Sequence, residues 1–280
     1  MPLRQWQTRF GRRTESSVVP PSAASLTDVD FGYVASRPIL SRLNLRIPAG
    51  KLTMVLGRNG AGKSTLIGVL AGVLRPQRGE VALREVPLRT MRRREIAQQV
   101  AVLWQARHSP PGLHVLGLVA KGRFPHTTLL RQWSPEDEAA VTFAIDLMNL
   151  GDLQHRPLGS LSGGQLQRAW LAALIAQESP LLILDEPTTH LDVAAQHTTL
   201  ELLRSLVNTG RTVVASVHDI NQTRSADHVI LLGDGRVIAD GPPQVVLTPP
   251  ALASVFGVPF REVPDPQSGH PVILVAGDEG

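Results

Sequence analysis

Apolar and polar positions alternate, or run together, in short blocks along most of this chain. Alternation at residues 26–31 and 43–47 predicts half-buried strands, whereas the mostly apolar run at 52–56 predicts a buried strand. Helical spacing follows at 64–73. Further predicted strands occupy 80–83, 100–104, 181–184, 212–217, 228–232 and 236–239, and further predicted helices occupy 90–98, 114–121, 135–150, 163–177, 193–208, 220–226 and 250–256.

Strands that alternate with helices in this way predict an α/β fold with a mainly parallel sheet and helices on both of its faces. Residues 106–160 break the alternation with helical spacing, so they predict a helical insertion. Residues 1–24 show no periodicity and predict a flexible tail, with order beginning near Leu26. The proline-rich residues 242–280 predict a C-terminal extension without a catalytic constellation, which leaves 25–241 as the predicted domain.

A glycine-rich loop connects the predicted strand 52–56 to the helix after it. Glycines let backbone N–H groups surround an anion, and the start of a helix adds the positive end of its dipole. A lysine there supplies charge for the β- and γ-phosphates, and the hydroxyl after it is placed for Mg²⁺. The loop fits the phosphate-binding pattern G-x-x-x-x-G-K-[ST] with the residues Gly57, Arg58, Asn59, Gly60, Ala61, Gly62, Lys63, Ser64 and Thr65.

The alternative for this loop is a glycine-rich turn that carries a surface lysine. The chain has only three lysines, and one of them stands at the required position. The strand before the loop and the helix after it also match the context that phosphate binding needs. The sequence therefore favours nucleotide binding.

Two adjacent carboxylates, Asp185 and Glu186, end the apolar strand 181–184. Burying them is costly unless a cation or hydrogen bonds compensate for lost hydration. Mg²⁺ bound to ATP would compensate, so Asp185 is a predicted metal ligand and Glu186 a predicted base for the attacking water. An exposed acidic loop is the alternative, and the phosphate-binding loop in the same chain disfavours it.

A second candidate anion site opens the helix at 163–177. The run Leu161, Ser162, Gly163, Gly164, Gln165 resembles the LSGGQ signature of the ATP-binding subunits of ABC transporters. The resemblance covers about 26–241 and implies a P-loop NTPase core with an N-terminal antiparallel β subdomain and the helical insertion. In that family two subunits pair head to tail, and each ATP lies between the phosphate-binding loop of one copy and the signature of the other.

The resemblance also implies roles for single residues. Tyr33 matches the aromatic residue that stacks on adenine, and Asp192 lies in the loop that crosses the dimer interface with Thr188, Thr189 and His190. Gln105 matches the glutamine that approaches Mg²⁺ and the water, and His218 matches the histidine that contacts the γ-phosphate. A core tyrosine and a structural histidine are the alternatives. The implied catalytic residues are Glu186, His218 and Gln105, the implied Mg²⁺ ligands are Ser64, Gln105 and Asp185, and Ser162, Gly163, Gly164 and Gln165 are expected to bind the ATP of a second copy.

The same resemblance implies an ATPase that works as a homodimer and powers transport through two separate permease subunits, with an extracytoplasmic binding protein acting indirectly. Contact with the permeases is expected around 109–124. Stretches 121–126, 167–172 and 187–192 resemble importers of iron–siderophores, haem and vitamin B12, and the iron–siderophore ATPases are nearest. An exporter cassette is an open alternative. Cassette ATPases of DNA repair carry a long coiled coil and translation-associated cassettes carry two cassettes, so both fit less well.

The composition limits the kinds of site and the cellular location that the chain can have. The 280 residues include no cysteine, which excludes disulfides and thiolate metal sites. The net charge of +4 is mild, and no long basic run points to nucleic acid. No stretch approaches the roughly 18 apolar residues of a membrane-spanning helix. We therefore expect a peripheral protein at the cytoplasmic face of the membrane.

Overall fold

The computed structural model describes residues 21–34, 37–105, 110–127, 133–189, 191–264 and 271–276. Its strands are β1 (Ser22–Phe31), β2 (Leu40–Pro48), β3 (Leu52–Gly57), β4 (Arg78–Leu83), β5 (Val86–Pro87), β6 (Val100–Leu103), β7 (Leu181–Leu184), β8 (Thr212–Val217), β9 (His228–Gly233), β10 (Arg236–Gly241), β11 (Phe260–Val263) and β12 (Val272–Val275). Its α-helices are α1 (Lys63–Leu70), α2 (Arg93–Gln99), α3 (Val115–Lys121), α4 (Pro135–Leu147), α5 (Gly163–Ala176), α6 (Val193–Asn208), α7 (Pro243–Val246) and α8 (Pro249–Phe256). Short 3₁₀ helices span Leu88–Thr90, Gly151–Leu153, Leu158–Ser160 and Asn221–Ser225.

The main sheet has the strand order β10-β9-β3-β8-β7-β6 within the described ranges. Its neighbours pair in parallel except for β10, which returns antiparallel to β9. The turn between them has positive φ at Asp234 and Gly235, which is typical of a tight hairpin with an Asp-Gly turn. Because β3 lies between β8 and β9, its carboxyl end opens at the middle of the sheet, where α/β folds bind ligands.

A second, antiparallel sheet has the order β2-β1-β4-β5. It is the antiparallel β subdomain that the family resemblance implied. The two faces of the main sheet pack into two cores because successive side chains of a strand alternate between faces. Leu52, Met54 and Leu56 of β3 join the core that includes residues of α3 to α6, whereas Val55 joins the core with α1 and the antiparallel sheet.

The helical insertion comprises α3, α4 and the 3₁₀ turns before α5. Ser134 caps α4: its hydroxyl accepts from the Asp137 N–H, and the Asp137 carboxylate accepts from the Ser134 N–H in return. The Arg123 guanidinium bonds Asp137 and Glu178 at 2.8 Å each, and Arg123 and Asp137 are almost fully buried. This ion cluster joins the end of α3, the start of α4 and the segment after α5.

The chain ends differ from the sequence prediction. Strand β1 begins at Ser22, four residues before Leu26, because Ala23 and Ala24 are buried and Ala24 pairs with both neighbouring strands. Residues 1–20 of the predicted tail lie outside the described residues. The C-terminal extension holds more than the predicted helix near 250–256, since α7 precedes that helix and β11 and β12 form a hairpin after it.

Two predicted helices are shorter than their patterns suggested. The helix expected at 90–98 begins at Arg93, after a separate 3₁₀ turn. The helix expected at 220–226 is only a 3₁₀ turn, because polar side chains such as Thr223 and Ser225 bond nearby backbone carbonyls instead of favouring a regular helix. Among the described residues, no helix has both the length and the apolar character needed to cross a membrane.

Candidate nucleotide-binding site

The phosphate-binding loop leaves the carboxyl end of β3 and enters α1. A Cβ on Gly57 would lie 2.4 Å from the Leu232 carbonyl oxygen of β9, so only glycine allows this close packing. Gly62 is the N-cap of α1 with φ +100°, a conformation that glycine adopts without strain. Residues 58–60 are exposed, so the inside of the loop is open to a ligand.

Lys63 is the first residue of α1, and its side chain folds back into the loop. Its ammonium group donates to the carbonyl oxygens of Gly57 at 2.9 Å and of Arg58 at 3.1 Å. Burial lowers the pKa of this amine, and the nearby carboxylates of Glu186 and Asp185 partly offset that effect. The direct partners of this buried ammonium group are neutral carbonyl oxygens. A phosphate group in the loop would place a negative charge beside it.

The carboxylates of Asp185 and Glu186 follow β7, next to the end of β8. Both residues are buried. The Ser216 hydroxyl donates to Asp185 Oδ1 at 2.7 Å and accepts from the Glu186 N–H at 2.8 Å. Glu186 itself has φ +50°, and the bond to Ser216 helps to hold this uncommon backbone conformation. The pair is therefore positioned by a buried serine on the adjacent strand.

Three side chains surround the Glu186 carboxylate. The Gln105 side-chain amide donates to Oε2 at 2.5 Å, and the Thr189 hydroxyl donates to the same oxygen at 3.1 Å. His218 Nε2 contacts Oε1. The predicted catalytic residues Glu186, Gln105 and His218 are thus brought together from three different strand ends.

The opposite side of the loop is formed by the antiparallel sheet and the β9–β10 turn. Gly235 donates its N–H to the Ala61 carbonyl and accepts from the Ser41 N–H, so the turn joins the loop to β2. Ile39 and Leu40 flank Gly62. On the same segment Tyr33 is 66% exposed and rests edge-on against Phe31, with ring centroids 5.2 Å apart. The free face of the Tyr33 ring is available for stacking on a base.

The signature run is placed apart from this cluster. Ser162 and Gln165 form a reciprocal capping box at the start of α5: the Ser162 hydroxyl accepts from the Gln165 N–H, and the Gln165 side chain accepts from the Ser162 N–H. Ser162, Gly163 and Gly164 are exposed, and a Cβ on either glycine would meet nothing within 4 Å. Among the described residues no hydrogen bond joins the signature to the phosphate-binding loop, and the exposed start of the helix faces outward.

Asp192 also lies outside the cluster. Its carboxylate accepts from the Ala195 N–H at 2.7 Å and caps α6. Val193, the next residue, is 83% exposed although it is apolar. His190, from the same predicted loop, lies outside the described residues.

Sequence reasoning missed several residues that position the site. Ser216 carried one weak signal, as a small polar residue in the otherwise apolar end of β8. Thr189 was predicted only as part of the dimer-interface loop, and its bond to the Glu186 carboxylate was not foreseen. Gln167 is buried on α5 and donates to the Pro187 carbonyl, which ties the signature helix to the loop after Glu186. No local pattern marks such a contact between distant parts of the chain.

The donors near Asp185 suit Mg²⁺, which prefers oxygen ligands. Asp185 is a buried carboxylate beside a buried lysine, and a cation would balance its charge. The Ser64 hydroxyl is on an exposed residue at the start of α1. The Gln105 amide nitrogen is engaged with Glu186, which leaves its amide oxygen for a cation or a water.

Comparison with known proteins adds to this geometry. The family model described as ABC transporter matches residues 40–189. The chain is 40% identical over 258 residues to a probable siderophore transport system ATP-binding protein of Bacillus subtilis, covering 91% of this chain and 94% of that protein. It is also 40% identical over 245 residues to a hemin import ATP-binding protein of Pseudomonas entomophila, with 85% and 94% covered.

Solved structures of ABC transporter proteins also resemble this chain. An inward-facing ABC transporter assigned to the metal-chelate type matches with a TM-score of 0.79 and 30% identity, over 92% of this chain and 98% of that chain. The dimeric ATP-binding cassette MJ0796, in a post-hydrolysis state with ADP and Pi, matches with a TM-score of 0.70 and 26% identity, over 79% and 98%. The α/β fold of the chain agrees with these matches.

Proposed function

The chain belongs to the ABC transporter family and is an ATP-hydrolysing subunit, and from this premise we propose that it powers uptake of an iron chelate of the siderophore class. The observation that carries the substrate class is the 40% identity to a siderophore transport ATP-binding protein over 91% of the chain. Haem is the second candidate, because a hemin import ATP-binding protein is equally identical over 85% of the chain. ATP is the substrate of the site in both cases.

Hydrolysis in this proposal uses the residues around Glu186. The Glu186 carboxylate accepts a proton from the attacking water, and the Gln105 amide and His218 imidazole fix that carboxylate from two sides. Lys63 and the backbone N–H groups of the loop bind the β- and γ-phosphates. Ser64, Asp185 and Gln105 would hold Mg²⁺, which supplies charge neutralisation on the phosphates when bound.

The site is proposed to be completed by a second copy in a head-to-tail homodimer. The signature helix start is exposed, and its free N–H groups can bind an anion. Val193 is exposed beside Asp192, as expected for a residue that becomes covered by a partner. The similar cassette MJ0796 is dimeric. ATP then favours the closed dimer because its γ-phosphate binds both copies, and hydrolysis removes that preference.

Two permease subunits are the proposed membrane partners, and they would hold the chain at the cytoplasmic face of the membrane. The predicted contact at 109–124 is described only from residue 110 onwards. At its end Phe124 is 65% exposed, and the next carbonyl, that of Pro125, accepts hydrogen bonds from Arg94 and Gln98 of α2. Helix α2 also borders a cavity of about 640 Å³.

This cavity is suited to a short amphipathic segment of a permease. Its walls include apolar side chains such as Leu88, Met91 and Ile96, and its edge carries Arg75 and Arg93. A segment with an apolar face and acidic flanks would match both features. We therefore extend the proposed permease contact from Phe124 to the cavity beside α2.

The permease contact predicts a charge-dependent assembly. Arg93→Glu in the full chain should weaken co-purification with the permeases, whereas Arg84→Glu, at an exposed turn of the antiparallel sheet, should leave it unchanged. Equal assembly of both variants would contradict the cavity as the contact.

Uptake by whole cells tests the substrate class. In cells that lack the native chain, wild-type protein should restore accumulation of a ⁵⁵Fe-labelled siderophore, and Glu186→Gln should not. Haem uptake measured in the same cells separates the two candidates. Restored haem uptake with unchanged siderophore uptake would replace the siderophore proposal, and normal siderophore uptake with Glu186→Gln would overturn the ATP-driven import.

A further inference from the structure

A chain of side-chain hydrogen bonds links three parts of the site that the proposed mechanism treats separately. The Thr188 hydroxyl donates to Gln222 Oε1 at 3.0 Å, and the Gln222 amide nitrogen donates to Gln196 Oε1 at 3.0 Å. The Gln196 amide nitrogen then donates to the Leu191 carbonyl, also at 3.0 Å. Each glutamine thus accepts one bond and donates one in the same direction.

The ends of this chain lie at functional positions. Thr188 is buried two residues after Glu186, and Leu191 directly precedes Asp192 in the loop expected to cross the dimer interface. Gln222 lies in the 3₁₀ turn that begins three residues after His218. The bonds therefore connect the loop of the catalytic carboxylate, the turn behind the γ-phosphate histidine and the interface loop.

The turn that carries Gln222 is also held from its other side. The Asn221 side chain donates to the Ile273 carbonyl at 3.2 Å and accepts from the Ile273 N–H at 3.3 Å. Ile273 is buried, so the C-terminal hairpin of β11 and β12 is fixed against the turn. Because the turn is held in this way, Gln222 has a defined position from which to bond Thr188 and Gln196.

We propose that Gln196 and Gln222 are positioning residues that couple the dimer-interface loop to the catalytic carboxylate. The inference rests on the proposed head-to-tail dimer. When a second copy packs on Leu191 and Asp192, the loop is fixed, and the Gln196–Gln222–Thr188 bonds fix the segment that holds Glu186. Thr189, the next residue, donates to the Glu186 carboxylate, which completes the connection to the reacting groups. Hydrolysis is thereby favoured only after the two copies close.

Steady-state kinetics of the purified full chain test this role. Gln222→Ala and Gln196→Ala should each lower kcat for ATP about three- to tenfold, in line with the loss of one or two hydrogen bonds, and leave the Kd for ATP in EDTA within about twofold. The double variant should be no slower than the slower single variant, because both break the same connection. His197→Ala, at an exposed neighbouring position of α6, is the matched control and should keep wild-type kcat.

Isosteric variants separate hydrogen bonding from packing. Gln222→Glu can still accept from Thr188 but cannot donate to Gln196, and Gln196→Glu can still accept from Gln222 but cannot donate to Leu191. Both should show the kcat loss of the alanine variants despite their unchanged size. Wild-type kcat in both would overturn the proposal, even if an alanine variant folded poorly.

Dimer formation distinguishes this inference from the proposed function. In a Glu186→Gln background, the Gln222→Ala protein should still form an ATP-dependent dimer by light scattering, because the connection acts after closure. If the Glu186→Gln protein alone forms no dimer, the proposed dimer mechanism fails. If it forms the dimer and the glutamine variants keep wild-type kcat, only the coupling role fails.

Discussion

The hydroxyl of Ser216 donates to Asp185 Oδ1 across 2.7 Å in the fully buried end of β8. The hydroxyl oxygen of Ser216 in turn accepts from the N–H of Glu186. One small side chain thus orients the proposed metal ligand and supports the backbone of the proposed catalytic base. Both acids depend on the pairing of β7 with β8, because that pairing places Ser216 beside them.

Ser216→Ala should therefore affect both stability and activity. The substitution leaves a buried carboxylate oxygen and a buried N–H without their partner, so we expect a loss of about 2 kcal/mol in the free energy of unfolding. Hydrolysis should fall about tenfold, equivalent to about 1.4 kcal/mol of transition-state stabilisation. Urea denaturation and ATPase assays measure the two effects. Ser205→Ala, which removes a hydroxyl bonded within α6, is the control; equal effects of both variants would contradict the role of Ser216.

Glu186→Gln should separate ATP binding from hydrolysis. The substitution keeps the size of the side chain and removes its ability to accept a proton, so kcat should fall at least about 100-fold while ATP still binds. With ATP the variant should elute as a dimer in size-exclusion chromatography, and with ADP as a monomer. A protein that stays monomeric with ATP at every concentration tested would contradict the shared site.

The pKa of Lys63 predicts how ATP affinity depends on pH. Burial lowers the pKa of this amine below its ordinary value of 10.5, and only the protonated form attracts phosphate. Affinity should therefore be constant at low pH and fall by up to about tenfold per pH unit once the pH exceeds the lowered pKa of the free protein.

Isothermal titration with ATP between pH 7 and pH 10 measures this dependence. Lys63→Arg is the matched variant, because the guanidinium stays charged across that range. It should bind ATP more weakly at pH 7 and show a flatter pH dependence. Parallel curves for wild type and Lys63→Arg would assign the dependence to another group.

The parts of this molecule that depend on local pattern were predictable from the sequence. The run at 52–56 and the loop after it were identified because buried strands and glycine-rich loops leave contiguous signals. The bonds of Ser216 with Asp185, and of Asn221 with Ile273, join residues far apart in sequence. Their side chains are common polar types, so only the pairing of strands and the packing of the hairpin reveal them.

The difference between local patterns and long-range contacts also explains where the sequence prediction was wrong. The segment 220–226 was predicted to be a helix, but its polar side chains bond the backbone and limit it to a 3₁₀ turn. The C-terminal hairpin was missed because its strands are short and proline-rich sequence surrounds them. Both features depend on tertiary contacts that stabilise segments with weak local preferences.

The buried contact of Arg123 with Asp137 predicts a dependence of stability on acid. Burial by itself raises the pKa of the Asp137 carboxyl, but hydrogen bonds from Arg123 and Ser134 and the charge of Arg123 outweigh it, so the pKa lies below its ordinary value of 3.8. A lowered folded-state pKa means that the ionised form stabilises the fold. This stabilisation is complete above the unfolded-state pKa and is lost as the pH falls through the folded-state pKa.

Asp137→Asn should therefore destabilise the chain most at neutral pH. Removing one charge from this buried cluster should lower the free energy of unfolding by about 3 kcal/mol at pH 7. The difference from wild type should begin to shrink as the pH falls below the unfolded-state pKa of about 3.9, because the unfolded wild-type chain then binds a proton that the folded chain does not, and it should be lost once the pH is below the folded-state pKa. Asp146→Asn, at an exposed position of the same helix, is the control and should stay within about 0.5 kcal/mol of wild type throughout. Urea denaturation at pH 7, 5, 4, 3 and 2.5 measures the differences, and a constant difference between Asp137→Asn and wild type down to the lowest pH would show that Asp137 does not act as a buried anion.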